Sequence, residues 1–296
     1  NRFGSLDGLR ALSVAAVIWH HSGGGLVDSD WAQHGHHGVT LFFAISGFLI
    51  TTLLLREIDR HGAIDLRAFY VRRALRIFPL YYTVLLIYVV LVFALERHSK
   101  VGQDFFSNLV YFATYTSNWF VALDGRVIFY FSWSLAAEEQ FYLVWPPLMK
   151  RLGTRARALA VALTVIVVIA LLDVLLPRWL PASGAAQTVL DVVHNIPLAI
   201  IVGVAAALLL HDPKGFARCW PWLAGSRWHC LLWLVLSIAA ALTPGAPWFT
   251  VHVALAMLVV ACCMREDHAL APLLQLPLLA YLGTISYGLY LLHMLC

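Results

Sequence analysis

Long apolar runs are the feature that most limits how this sequence can fold. Nine stretches have few charges and about the length that a helix needs to cross roughly 30 Å of hydrocarbon. They are 8–22, 38–55, 77–95, 132–149, 158–176, 189–210, 231–247, 248–264 and 277–296. Of the 296 residues, 61% are hydrophobic and 12% are charged, about half the charged share of a soluble domain. The sequence therefore predicts an all-α polytopic membrane protein with about nine transmembrane helices.

One further apolar stretch, 105–122, is interrupted by Asn, Thr and Ser and decides the topology. Three loops are rich in Lys and Arg (56–76, 150–157 and 211–230), and such loops stay in the cytoplasm. All three fall on one side only if 105–122 is a partial or re-entrant helix. Sixteen of the 20 basic residues then lie inside, leaving outside Arg97, Lys100, Arg126 and Arg178. We expect nine spans with a cytoplasmic N-terminus and an outer C-terminus; the alternative is ten spans with a weak charge bias.

Composition also bears on partners and domains. The net charge of +4 is spread over short loops, which argues against nucleic acid as a partner, and the five cysteines lack metal-ligand spacing, so no metal is expected. We expect one transmembrane domain over 1–296, surrounded by the lipid bilayer. The abrupt end after the helix 277–296 leads us to expect truncation before a last return span.

Ionisable groups inside the predicted spans are the first candidates for function, because a charge at membrane depth is costly. Arg10 and His21 are eleven residues apart, which puts them within about 20° of one helix face and about 16 Å apart along the axis. His20 points about 80° away from Arg10. The pair is expected to line a polar channel, although an anchor at the membrane boundary and an interfacial imidazole would give the same pattern.

A second candidate is the pair of glutamates in "SWSLAAEEQFYLVWP", residues 132–146. Ser134, Glu138 and Tyr142 share a face by their four-residue spacing, whereas Glu139 points elsewhere. We expect Glu138 at a depth similar to that of His21, where a carboxylate orients an imidazole and raises its basicity. A structural buried ion pair is the alternative.

Basic and aromatic groups at two other helices complete the set. Arg72, Arg73 and Arg76 lie on neighbouring faces at the inner mouth, where guanidinium groups suit phosphates or, alternatively, anionic lipid head groups. In "GTISYGLYLLH", Tyr287 and Tyr290 are three residues apart, and His293 falls near the outer end of the last span. His293 is therefore expected to join His21 and Glu138.

Five motifs in this order resemble acyltransferase family 3, a family of integral-membrane O-acyltransferases. They are "LDGLRALSVAAVIWHH", "FFAISGFLI", the RxxR pair at Arg73 and Arg76, "WSLAAEEQFYLVWP" and "ISYGLYLLH". The resemblance implies about ten spans in a bacterial-type inner membrane. It also implies transfer of an acyl group, commonly acetyl, from cytoplasmic acyl-CoA to a hydroxyl of an extracytoplasmic or lipid-linked carbohydrate. Acyl-CoA is then a co-substrate, with no bound cofactor.

The resemblance places the family's Arg and His on Arg10 and His21, and its helical Glu on Glu138, with Glu139 as a rival. We expect His21 to act as a general base or covalent relay, Glu138 to orient it, and the RxxR arginines to bind coenzyme A. The competing hypotheses are a proton-coupled transporter or flippase without covalent chemistry, and an inactive scaffold.

Overall fold

The computed structural model describes residues 4–22, 34–122, 126–179, 192–193 and 195–295, with the side chains of 177–179 left aside. Within those ranges every regular element is helical. A short 3-10 turn, His34–His36, precedes the second of fourteen helices. Their bounds are α1 Leu6–His21, α2 His37–His61, α3 Leu66–Leu95, α4 Lys100–Ala113, α5 Ser117–Phe120, α6 Ser132–Leu152, α7 Arg155–Trp179, α8 Leu198–Leu210, α9 Pro213–Leu223, α10 His229–Leu242, α11 Phe249–Met264, α12 Ala271–Leu274, α13 Pro277–Thr284 and α14 Ser286–Leu292.

The expected all-helical class is confirmed, but nine full spans are not. Three helices of the described chain are long and apolar enough to cross a membrane: 34–61, 66–95 and 155–176. A fourth span is reached only if α8 and α9, bent by 118°, count as one. The protein is thus an integral membrane protein in which three or four described helices are long and apolar enough to span the membrane.

Local breaks explain why several predicted spans are shorter than their apolar runs. α8 begins only at Leu198, after Pro197, whose ring fixes the backbone and removes a donor. The first residues of the predicted span, 189–191 and 194, lie outside the described residues. The run 277–296 divides at Ile285 into α13 and α14, which have 8 and 7 residues. Neither piece can cross 30 Å of hydrocarbon by itself.

The chain divides into two compact units. The first contains Asn1–Gly62 and Leu152–Cys296, and the second contains Ala63–Arg151. In the first unit, α2 and α8 cross at two glycines: a Cβ at Gly47 would lie 2.0 Å from the Ile200 oxygen, and one at Gly203 would lie 2.5 Å from the Ala44 oxygen. The small residues of "FFAISGFLI" therefore permit close helix packing.

In the second unit, residues 97–122 run back along α3 after it ends, and Arg126 again lies at that same end of α3. The hydroxyl of Tyr81 donates to the Phe112 oxygen at 2.8 Å, next to the end of α4. Arg126 then pairs with Glu96 at 2.9 Å, beside the end of α3. α4 has 14 residues, so it runs about 21 Å back along α3 before the chain turns. We call residues 97–122 together with Arg126 the re-entrant segment; in the part that the structure describes it does not pass α3 from end to end. That it is a re-entrant helix in the membrane stays a prediction.

Candidate active site

His21 and His293 form a hydrogen-bonded pair in the first unit. His21 ends α1 and His293 caps α14, and the distance from His293 Nε2 to His21 Nδ1 is 2.8 Å. Their ring centroids are 4.8 Å apart. His293 Nδ1 also lies 2.5 Å from the backbone oxygen of Tyr290, one turn earlier in α14. Both imidazoles are half-buried.

Close contact between helix backbones brings these two helix ends together. A Cβ at Gly283 would lie 1.8 Å from the Asp7 oxygen, and one at Gly8 would lie 2.1 Å from the Leu274 oxygen. The end of α13 therefore contacts the first turn of α1. Since α14 continues from there in the same direction as α1, its end reaches His21.

Arg10 lies in the first unit at the opposite end of α1 from His21. Its Nη1 is 3.0 Å from Asp7 Oδ1, and its side chain is 18% exposed. α1 is unbroken between Leu6 and His21, so the predicted eleven-residue spacing along one face holds. His20, for which the sequence offers no role, lies 5.0 Å from the ring of His21 and 5.9 Å from that of His36.

The second unit brings Arg73, Tyr142 and Glu138 together. The guanidinium carbon of Arg73 lies 4.8 Å from the centre of the Tyr142 ring, a cation–π distance. The hydroxyl of Tyr142 donates to Glu138 Oε1, as the shared face of α6 predicts. Arg72 and Arg76 are exposed on either side of Arg73.

A cavity of about 520 Å³ opens beside Arg73. Its polar lining includes Glu139 and Gln140, and its wall is largely aromatic. Helical spacing places Glu139 on a different face of α6 from Glu138. In the structure Glu139 lines this cavity together with Arg73. The lining residues are Tyr70, Arg73, Ala74, Phe78, Thr114, Tyr115, Thr116, Trp119, Glu139, Gln140, Tyr142 and Leu143.

Gln140 holds the re-entrant segment against α6 at this cavity. Its Nε2 donates to the Tyr115 oxygen at 2.7 Å and to Asn118 Oδ1 at 2.8 Å, and its Oε1 accepts from Trp119 Nε1 at 2.9 Å. Tyr115 has a φ of 53°, a left-handed conformation that a non-glycine residue keeps only when its surroundings hold it. Sequence reasoning missed Gln140; the signal for it was a third polar residue directly after the two glutamates.

Two secondary candidates, Ser134 and Tyr287, lie on α6 and α14. Ser134 is buried, and its hydroxyl donates at 3.1 Å to the oxygen of Phe131, the residue directly before α6. Tyr287 is half-buried in the first turn of α14. Of the expected cluster, the structure joins His21 to His293, whereas Glu138 belongs to the second unit with Arg73.

The two groups offer different chemistry. An imidazole pair can accept and return a proton. An arginine that lines a mostly apolar cavity, as Arg73 does, can bind an anionic head while the cavity takes an apolar arm. In the part of the chain that the structure describes, no group of three or more His, Cys, Asp or Glu side chains is arranged to hold a metal ion.

Comparison with known proteins gives a family over nearly the whole chain. The family model described as "Acyltransferase domain" matches residues 3–296. The putative peptidoglycan O-acetyltransferase YrhL of Bacillus subtilis is 31% identical over 317 aligned positions, covering 97% of this chain and 47% of that protein. Peptidoglycan O-acetyltransferase OatA of Listeria monocytogenes is 36% identical over 153 residues, covering 48% of this chain and 23% of that protein.

A putative O-acetyltransferase of Staphylococcus aureus is 35% identical over 153 residues, or 49% of this chain and 24% of that protein. The chain thus spans less than half the length of these relatives. No solved structure matches it. With a family model that matches all but its first two residues, the chain belongs to the acyltransferase-domain family.

Proposed function

We propose that the protein is an O-acyltransferase that moves an acyl group, most simply acetyl, from acyl-CoA to a hydroxyl of a carbohydrate or glycolipid acceptor. The family match and the relatives named as O-acetyltransferases support this activity. The observation that carries it is the His21 imidazole, half-buried and hydrogen-bonded through Nδ1. The names of two relatives favour peptidoglycan or a related glycan as the acceptor.

In this proposal His21 is the general base. It takes the proton of the acceptor hydroxyl as the oxygen attacks the thioester carbonyl. The C–S bond then breaks, and the imidazolium returns the proton to the leaving CoA thiolate. A variant route first moves the acyl group onto the imidazole and then onto the acceptor. A positioned base contributes on the order of 10²–10⁴-fold to the rate.

Arg73, Arg76 and Arg72 are proposed to bind the phosphates of the donor. Arg76 and Arg72 are exposed, and Arg73 lines the cavity of about 520 Å³. Guanidinium groups form paired hydrogen bonds with phosphate oxygens, and a mostly apolar cavity suits the pantetheine arm. The positive-inside pattern favours a cytoplasmic N-terminus and therefore a cytoplasmic donor.

The carboxylates and Arg10 complete the proposal. Glu138 supplies negative charge that stabilises the imidazolium of His21, and Glu139 is its rival for this role. Arg10 lies on the His21 face of α1, where a cation would attract the donor towards the base. The effect of Glu138 on His21 stays a prediction.

Acyl transfer by purified protein in lipid nanodiscs tests the proposal. Labelled acetyl-CoA and peptidoglycan fragments should give release of CoA together with an alkali-labile ester on the glycan. His21→Ala should lower kcat by on the order of 10²–10⁴-fold. Passage of unmodified substrate across the bilayer, with no release of CoA, would instead identify a transporter.

The donor site has its own test. Each lost charge-assisted hydrogen bond costs about 1.5–3 kcal/mol, so Arg73→Ala should raise the KM for acetyl-CoA between about 10- and 150-fold. Arg97→Ala is the matched control, because Arg97 is exposed at the opposite end of α3. Equal KM values for the two variants would remove Arg73 from the donor site.

A further inference from the structure

We propose that His293 is a positioning residue that fixes the tautomer of His21, so that Nε2 of His21 is the atom that accepts the proton. This inference rests on the proposed role of His21 as the base. It assigns a role to a residue 272 positions away in the chain.

The hydrogen bonds determine which nitrogen of each imidazole carries the proton. The backbone oxygen of Tyr290 can only accept, so the contact of 2.5 Å requires a proton on His293 Nδ1. In a neutral imidazole the other nitrogen then has a lone pair and accepts. His293 Nε2 lies 2.8 Å from His21 Nδ1, so His21 Nδ1 carries the proton and donates it. The basic nitrogen of His21 is consequently Nε2.

Rigid surroundings make this assignment a property of the fold. Tyr290 is 5% exposed, and its carbonyl belongs to the last turn of α14. The contact of Gly283 with the backbone at Asp7 sets the position of α14 along α1. His293 therefore meets His21 from a fixed helix end, which restricts the rotation of the His21 ring as well as its tautomer.

This arrangement separates two tasks that a single carboxylate performs in a serine–histidine–aspartate triad. A neutral His293 orients the base without compensating the charge that His21 gains. Charge compensation is left to a carboxylate, the role proposed for Glu138. The orienting role that the sequence gave to Glu138 is supplied at Nδ1 by His293.

Nitrogen NMR on the full chain tests the tautomer directly. With ¹⁵N-labelled histidine, the His21 signals are assigned from their loss in His21→Gln. Wild-type His21 should show a protonated Nδ1 and an unprotonated Nε2, and His293→Phe should show a mixture. A protonated Nε2 on His21 in the wild type would overturn the inference whatever the variants do. The spectra are recorded at neutral to mildly alkaline pH, above the usual range in which imidazoles gain a proton.

Steady-state kinetics provide the second readout. His293→Phe keeps a ring but removes the acceptor, and should lower kcat between about 10- and 100-fold, less than loss of the base itself. The KM for acetyl-CoA should stay within about twofold. His293→Gln can place its Oε1 near the position of Nε2, so it should recover most of kcat. His98→Phe, at an exposed imidazole of the second unit, is the matched control.

The outcomes separate this inference from the proposed function. If His21→Ala keeps full activity, both are wrong. If His21→Ala is inactive but His293→Phe keeps the wild-type kcat, only the role of His293 is wrong. If His293→Gln is as slow as His293→Phe while both fold, the acceptor at Nε2 is not what His21 needs, and the inference is again overturned.

Discussion

Replacement of Gln140 by leucine tests whether one side chain holds the re-entrant segment in place. Leucine has a similar volume but neither donates nor accepts a hydrogen bond. The variant would lose the bonds from Nε2 to the Tyr115 oxygen and to Asn118, and the bond from Trp119 to Oε1. Each of these joins α6 to the segment that turns beside the cavity.

The magnitude follows from those three bonds. Side-chain hydrogen bonds between membrane helices average about 0.6 kcal/mol, and a well-formed bond in a protein contributes up to about 1.5 kcal/mol. Tyr115 and Asn118 are 7% and 8% exposed, so water compensates little for their loss, whereas Trp119 is 42% exposed and loses less. We expect Gln140→Leu to lower the free energy of unfolding by about 2–4 kcal/mol.

Chemical denaturation of the purified protein in mixed micelles measures this loss. Gln103→Leu is the matched control, since Gln103 is exposed on α4 and a surface substitution changes stability by at most about 0.5 kcal/mol. Gln140→Leu should also raise the KM for acetyl-CoA, because Gln140 lines the cavity that we assign to the donor. The left-handed backbone of Tyr115 should relax, giving faster proteolysis near residues 114–120.

A stability for Gln140→Leu within 0.5 kcal/mol of the Gln103→Leu control would refute the reasoning. The hydrogen bonds would then not hold the segment, and aromatic packing of Tyr115 against Tyr81, with ring centroids 4.3 Å apart, would be sufficient. Gln140→Asn tests whether the length of the side chain matters as well as its amide group. It keeps the amide but is one carbon shorter, so it should recover only part of the lost free energy of unfolding.

Two further perturbations test the packing and the path of the chain. Gly47→Val should abolish folding or lower the free energy of unfolding by at least about 3 kcal/mol, because even its Cβ would lie 2.0 Å from the Ile200 oxygen. Gly4→Ala is the control. Its Cβ would lie 3.5 Å from the nearest neighbour, so it should leave the stability unchanged in the same denaturation assay. In a cysteine-free background, Ser99→Cys and Arg126→Cys should react with the same membrane-impermeant maleimide from the same side, because the re-entrant segment begins and ends at one end of α3; labelling from opposite sides would show that it crosses.

The sequence by itself determined the class of protein and the residues worth testing. Apolar runs separated by basic loops predict membrane helices, and the fixed rotation of 100° per residue separates His21 from His20 and groups Glu138 with Tyr142. The structure keeps both relations within their helices. The distribution of basic residues over the loops likewise predicted a partial or re-entrant helix at 105–122, because only then do all three basic loops lie on one side.

Span count was where sequence reasoning went furthest from the structure. A hydropathy run records composition, whereas a span also needs an unbroken backbone. α8 begins only after Pro197, and the helix is interrupted at Ile285 between α13 and α14. Pro197 is visible in the sequence, whereas the interruption at Ile285 depends on how the two segments pack, which local composition does not encode.

Only the tertiary structure decided which helices meet. His21 and His293 lie 272 residues apart, and their hydrogen bond depends on glycine contacts that align α13 and α14 with α1. The bonds of Gln140 to the re-entrant segment depend in the same way on the approach of α6 to a turn 25 residues earlier. Helical periodicity fixes the face on which a side chain lies, but the partner on that face is chosen by packing between helices, and that choice is a property of the whole chain.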